Sequence, residues 1–239
     1  MKQRVVKYNY KYSTLATSAS FDAADINGTA NTITIANHPF STGDLVGLVL
    51  TPTTGVTSTV PALSTAYYII KVDRNTVGLA TSAALAYAGT KTALTAGSAV
   101  DCLLVKNAFG TVKTGIMIPK GAIVTGGFVD TVTTFQSLDT IGGNVDLATI
   151  AFSSGEGAAD LLAAVSIAAG TNTWDADSTW SLIPGTVVMR TVSADTAALG
   201  QAATGATYLE MTNDNEITMA IAVDPLTAGE LNLYVTYLV

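Results

Sequence analysis

Apolar and polar positions alternate over short stretches along most of this chain, which is the pattern of half-buried β-strands. Residues 215–223 show it best: Ile217, Met219, Ile221 and Val223 fall on one face, and Thr218, Ala220 and Ala222 on the other. Residues 32–35 and 129–135 alternate in the same way. Apolar runs bounded by turn residues predict further strands at 45–50, 66–72, 76–80, 101–105, 111–118, 145–152, 187–192, 206–211 and 231–238. A long strand is expected over 122–135, bulged or bent at Gly126-Gly127. Pro39 with Gly43, Asp73-Arg74-Asn75 and Pro119-Lys120-Gly121 mark turns. Residues 51–64 form a Thr/Pro/Gly/Ser loop, and 224–230 join the last two strands as a hairpin.

Two segments are expected to be helical. Residues 82–88 give one turn with Thr81 or Ser82 as N-cap. Residues 156–169, rich in Ala and Leu with Asp160 near the start, give the longer helix. Its Leu161, Leu162, Val165 and Ile167 would cover one end of a core, and the next residues, 170–183, would form a loop carrying Trp174 and Trp180. The expected fold is therefore mainly β in three parts. These are an extended basic arm at 1–20, a small β module at 21–108, and a β-sandwich or jelly roll with one short helix at 109–239.

Composition agrees with this pattern. The 239 residues include 37 Thr, 36 Ala and 21 Gly, and are 49% hydrophobic. Charged residues make up only 12%, about half the usual share. That excludes a charge-rich coiled coil or disordered tail, and suits a protein that covers surface with partners. One His and one Cys exclude zinc sites of the Cys/His type, disulfides and CxxC redox centres within the chain. The basic first residues lead into no apolar signal core, and no apolar run approaches about 18 residues, so neither export nor a membrane span is expected.

The net charge of −7 conceals an asymmetry. Residues 1–120 hold ten of the eleven cations and five acids, whereas 121–239 hold Arg190 and thirteen acids. Lys2, Arg4, Lys7 and Lys11 interleave with Tyr8, Tyr10 and Tyr12. Cations and aromatics together can bind phosphate and stack on bases. Four charges make a small phosphate footprint, however, and Val5-Val6 with alternating tyrosines fits an edge strand laid on an acidic neighbouring subunit. The candidate interface residues are Lys2, Arg4, Lys7, Tyr8, Tyr10, Tyr12, Trp174 and Trp180. The two tryptophans can stack on a sugar, anchor an interface or plug the end of the sandwich.

No catalytic, cofactor or metal site is expected. A triad would need His38, which precedes Pro39 in a turn, and no GxSxG elbow is present. Cys102 lies in an apolar strand as an inert thiol. There is no Walker lysine, and Gly155-Glu156-Gly157 is too short for a dinucleotide loop. Asp175, Asp177 and Ser178, or residues 213–216, could offer oxygens to calcium, but neither matches an EF-hand. A pair of carboxylates for glycoside hydrolysis would meet only in the fold.

Two stretches carry a resemblance. Residues 38–44 (His-Pro-Phe-Ser-Thr-Gly-Asp), 63–70 (Leu-Ser-Thr-Ala-Tyr-Tyr-Ile-Ile) and 75–82 (Asn-Thr-Val-Gly-Leu-Ala-Thr-Ser) resemble a small β module of tailed-bacteriophage virion proteins, departing from it at Gly78. Residues 118–124, 173–176 and 226–231 are similar to a β-sandwich of small phage structural proteins, often head-associated. The resemblance implies a non-enzymatic capsid decoration (cement) protein without cofactor. It would be made in the bacterial cytoplasm, lie on the capsid exterior and bridge subunits of the major capsid protein. A homo-oligomer, with a trimer favoured, and no direct nucleic-acid or membrane contact are also implied. In that setting the basic N-terminal half would face the shell and the acidic half would face outward. The alternative is a tail-associated fibre or adaptor binding a host surface glycan through Trp174 and Trp180.

Overall fold

The computed structural model describes residues 1–50, 66–95, 102–137, 148–157, 160–167, 174–182 and 208–239. In chain order the elements are β1 (Gln3–Lys11), α1 (Tyr12–Leu15), β2 (Thr17–Phe21), a 3-10 turn (Ala23–Asp25), β3 (Ile26–Asn27), β4 (Thr32–Thr34), β5 (Leu45–Leu50) and β6 (Ala66–Lys71). There follow β7 (Thr76–Ala80), α2 (Ala83–Tyr87), β8 (Cys102–Lys106), β9 (Gly110–Ile118), β10 (Ile123–Ser137) and β11 (Thr149–Ser153). The last are β12 (Leu162–Ser166), β13 (Thr179–Leu182), β14 (Leu209–Glu210), β15 (Asn215–Ala222) and β16 (Leu226–Leu238). The protein is mainly β, and every strand pairing among the described residues is antiparallel.

The strands form three sheets. One runs β1-β16-β10-β13, with β14 beside β10; a second runs β12-β11-β15-β9; the third runs β2-β8-β5-β6-β7-β4-β3. The first two face each other as a sandwich. Their inward residues, among them Val129, Leu231, Leu233 and Val235 from one sheet and Ile150, Phe152, Met219 and Ile221 from the other, make one buried cluster. The third sheet closes its own core around Phe40, Leu48, Ile69, Leu79 and Leu104. Alternation along β15 and β16 puts one face of each into the core, as the period of two requires.

Asn107 joins the two modules. Its side chain donates to the Leu15 carbonyl at 3.1 Å, and its own carbonyl accepts from the Tyr10 hydroxyl at 2.9 Å. Both passages of chain between the modules are thereby held at one residue. The short helical turn is where the sequence places it, with Ser82 as N-cap accepting from the Leu85 amide at 3.2 Å. The bulge in β10 is also present: its register against β16 shifts between Val124 and Gly126.

Four expectations are corrected. The first concerns residues 156–169, where no helix forms among the described residues and Leu162–Ser166 is strand β12, paired with β11. Ala and Leu favour a helix intrinsically, but Leu162, Val165 and Ile167 are needed in the sandwich core, and tertiary burial overrides propensity. Asp160 ties a turn instead of starting a helix, accepting from the amides of Ser154 (2.6 Å) and Gly157 (3.0 Å). The second is the hairpin at 224–230. β15 and β16 lie in different sheets, and the chain crosses between them at Val223–Pro225. The third is the loop at 170–183, which contains β13 along β10.

The fourth correction is the arm. Residues 3–11 are a strand of the chain's own sandwich, paired with β16 through nine consecutive residues. This dissolves the charge asymmetry. With residues 1–16 counted beside 109–239, those stretches of sequence hold seven cations and thirteen acids, and 17–108 hold four cations and five acids. The two stretches of sequence therefore carry −6 and −1 in place of a basic half and an acidic half. The expected strands at 145–147, 187–192 and 206–207 and the loop at 51–64 lie outside the described residues.

The turn at 154–157 is fastened to the start of β15 by one carboxylate. Glu156 accepts from the Thr212 amide (2.8 Å) and hydroxyl (2.5 Å), the Asn213 amide (3.2 Å) and the Asn215 side chain (2.7 Å). These bonds, the Thr212 hydroxyl first, hold its carboxyl below the usual carboxylate range. A pKa lowered by folding stabilises above the unfolded value and is lost as pH falls through the folded one. Protection factors of the Thr212 and Asn213 amides are expected to drop below the usual carboxylate range. In Glu156→Gln they should be low at neutral pH and show no such step.

Candidate functional site

The first sheet presents an edge and an outer face that no described residue covers. Lys2 and Val239 exchange both backbone hydrogen bonds, at 2.7 and 3.1 Å. With the continuous register of β1 on β16, this sets the phase of the ladder. Arg4, Val6, Tyr8 and Tyr10 bond to β16, while Gln3, Val5, Lys7 and Asn9 turn their N–H and C=O groups away from it. The same alternation sorts the side chains. Tyr10 is buried, Val6 and Tyr8 are half-buried, and Val5 is 60% exposed.

On the outer face Lys7 lies 5.3 Å from the ring centre of Tyr234, a cation–π contact. Tyr234 stacks on Phe128 of β10 at 4.4 Å with the rings 20° apart. The three side chains form a row across β1, β16 and β10, with Phe128 41% exposed at its end. Both faces of Tyr234 are therefore occupied. A second row is polar: Asn9 donates to Glu230 (3.2 Å) and Asn232 (3.1 Å), and Asn232 donates to Asp130 (3.3 Å). Lys11 pairs with Glu230 at 2.9 Å and holds that carboxyl below its usual range. Lys11 is thus spent within the sheet, whereas Lys2, Arg4 and Lys7 are exposed and make no ion pair among the described residues.

The tyrosines do not form a stacking surface for bases. Tyr10 stacks on Phe135 at 6.0 Å inside the core, and burial, with Tyr8 and Tyr12 adding to it, raises its hydroxyl far above the usual value. Burial also pushes Tyr8 up to about 12 and raises Tyr12. Tyr8 lines a groove of about 700 Å³ between the two modules, with Asp44, Tyr68, Lys113 and Glu216. The groove's carboxylates are already paired, Asp44 with Lys106 at 2.7 Å and Glu216 with Lys113 at 3.5 Å.

Trp174 is buried at 2% exposure, edge-on to Phe135 at 5.7 Å, and donates from Nε1 to the Val165 carbonyl at 3.3 Å. It is a plug of the sandwich and cannot touch an external sugar. Trp180 belongs to β13, opposite Val129 of β10. His38 is buried against Phe40, with Nε2 3.0 Å from the Asp73 carbonyl. Cys102 is buried in β8. Asp175 closes a turn with its carbonyl accepting from Ser178, and Asp214 accepts from the Lys120 amide at 2.8 Å. Among the described residues no three His, Cys, Asp or Glu side chains gather as a metal site would require. No described helix is long and apolar enough to cross a membrane.

Phe128 and Tyr234 were not anticipated from the sequence. Their only signal is an outward strand position, Tyr234 between buried Leu233 and Val235 and Phe128 next to buried Val129, and that pattern identifies no partner across the sheet. No protein-family model, curated protein or solved structure matches the chain.

Proposed function

We propose that this chain is a non-enzymatic structural protein of a tailed-bacteriophage virion, a decoration (cement) protein. It binds the outer capsid surface and bridges neighbouring subunits of the major capsid protein, as a homo-oligomer with a trimer favoured. The observation that carries the reading is the outer edge and face of the first sheet. Val5 and Lys7 stand exposed on an unpaired strand edge and Phe128 on the same face two strands in, apolar and basic surface together, of the kind a partner covers. The resemblance at 38–44, 63–70 and 75–82 supports the virion setting. The fibre or adaptor reading loses one of its two binding residues, because Trp174 is in the core.

Immunogold labelling of particles with antibody to the recombinant chain tests the location. Dense label over the whole head supports decoration, and label confined to the tail overturns it. Deleting residues 1–20 cannot test the contact, since it removes β1, β2 and the core residue Tyr10. The triple variant Lys2→Glu/Arg4→Glu/Lys7→Glu leaves the core intact. It is expected to lower occupancy on particles by at least tenfold, read by quantitative gel or mass spectrometry of purified heads. Undiminished occupancy would move the contact elsewhere on the chain.

A further inference from the structure

We infer that the outer edge of β1 is an acceptor site for an extended, acidic segment of a partner protein, which joins the sheet as an added strand beside Gln3–Asn9. This rests on the reading of that face as one a partner covers, and it narrows the partner's contacting segment by chemistry. Four residues in alternation, Gln3, Val5, Lys7 and Asn9, point their backbone donors and acceptors outward, and no backbone or side-chain group among the described residues bonds to them. Successive outward groups are spaced two residues apart, roughly 7 Å, as an incoming strand requires.

The edge at β9, on the same side of the sandwich, shows the contrast. There the register against β15 breaks between Glu216 and Thr218. The Gly115 amide is spent on the Glu216 side chain at 2.8 Å, and the Ile116 amide on the Thr114 hydroxyl at 3.1 Å. A bulge with self-satisfied amides is a common way of blunting an edge. β1 has neither: its nine-residue register is unbroken.

Charge then selects the occupant. Lys2, Arg4 and Lys7 are exposed along the edge. A second copy of β1 would bring a second set of the same three cations to one seam, which disfavours self-pairing through like-charge repulsion. A strand carrying Asp or Glu at alternate positions sets them on one face, where they meet Lys2 and Arg4 or, if turned over, Lys7, so the cations disfavour one partner and admit the other.

The probe is a capped nonapeptide alternating Val and Glu, set against its Val/Lys counterpart, each added to the full chain. Amide exchange read by NMR is expected to slow by about tenfold or more at Gln3, Val5, Lys7 and Asn9 with the Glu peptide only, and rising salt should weaken the effect. Val5→Pro removes one outward N–H and no internal hydrogen bond, which an edge strand tolerates. It should lower the peptide's affinity about tenfold, the loss of one bond with its neighbours misaligned, while Val5→Ala leaves it unchanged. Equal protection by the Lys peptide, protection unaffected by Val5→Pro, or none at millimolar Glu peptide would overturn the inference. The peptide experiment needs no particle. Its failure alongside dense head labelling would leave decoration standing and remove only the strand-addition mode.

Discussion

Trp174→Ala is expected to lower the unfolding free energy by about 4 kcal/mol, the usual cost of emptying a large buried aromatic site. The ring is 2% exposed and sits edge-on to Phe135, which in turn stacks on Tyr10, so the substitution opens a cavity where three aromatic side chains meet. It also leaves the Val165 carbonyl of β12 without its indole donor. Urea unfolding of the full chain measures the effect, and Trp174→Phe should fall between the two because it restores bulk without the donor. A sugar-binding or interface tryptophan would behave in the opposite way, with stability unchanged and binding lost. An unchanged midpoint would remove Trp174 from the core and reopen the glycan reading.

Gly127→Ala should cost about 3 kcal/mol. Gly127 lies just past the β10 bulge at φ +156°, and a Cβ there would overlap the backbone carbonyl of Tyr234 on β16. Neither strand can yield by rotating a side chain, so β10 must separate from β16 along the longest seam of the sandwich. Overpacking and an unfavourable backbone angle each contribute about 1–3 kcal/mol. Gly121 provides the control. It sits at φ +78° in the turn before β10, with nothing within 4 Å of a Cβ, so Gly121→Ala meets only the backbone penalty, about 1 kcal/mol. Equal losses at the two positions would show that backbone angle alone governs both and that the Tyr234 carbonyl is not in the way.

These two residues differ in how far sequence exposes them. The Gly126-Gly127 pair interrupts an alternating run, so a bulge or bend follows from local pattern, and the register shift lies next to it, between Val124 and Gly126. Trp174 carries no such mark. A tryptophan beside Asp175 and Asp177 looks the same in sequence whether it caps a core or faces water, and only the position of Phe135 and Val165 makes it a plug. The segment Leu162–Ser166 failed for a related reason. Its alanines and leucines satisfy helix propensity, worth tenths of a kcal/mol per residue, while burial of Leu162 and Val165 is worth more and requires a strand beside β11.

The candidate edge was half legible. Alternation of Val and Tyr with Lys and Asn identifies an edge strand in residues 3–11, and the exposed cations are in the positions the pattern gives them. Which strand it pairs with was not legible, because β1 and β16 are joined only by residues more than 200 positions apart in sequence. That pairing moved four cations into the acidic half, buried Tyr10 and turned a free arm into a sheet edge. Phe128 and Tyr234 become a stacked pair only through the same long-range register.

Sequence by itself determined the strand-rich character, most strand positions, the helical turn capped at Thr81 or Ser82 and an irregularity in β10 near Gly126-Gly127, because each depends on neighbours within a few residues. Tertiary structure alone decided which strands share a sheet, where the chain crosses at 223–225, which tryptophan is core and which backbone groups of β1 stay unpaired. Those outcomes depend on contacts between distant segments, and the burial they achieve outweighs the local preferences that a linear pattern records.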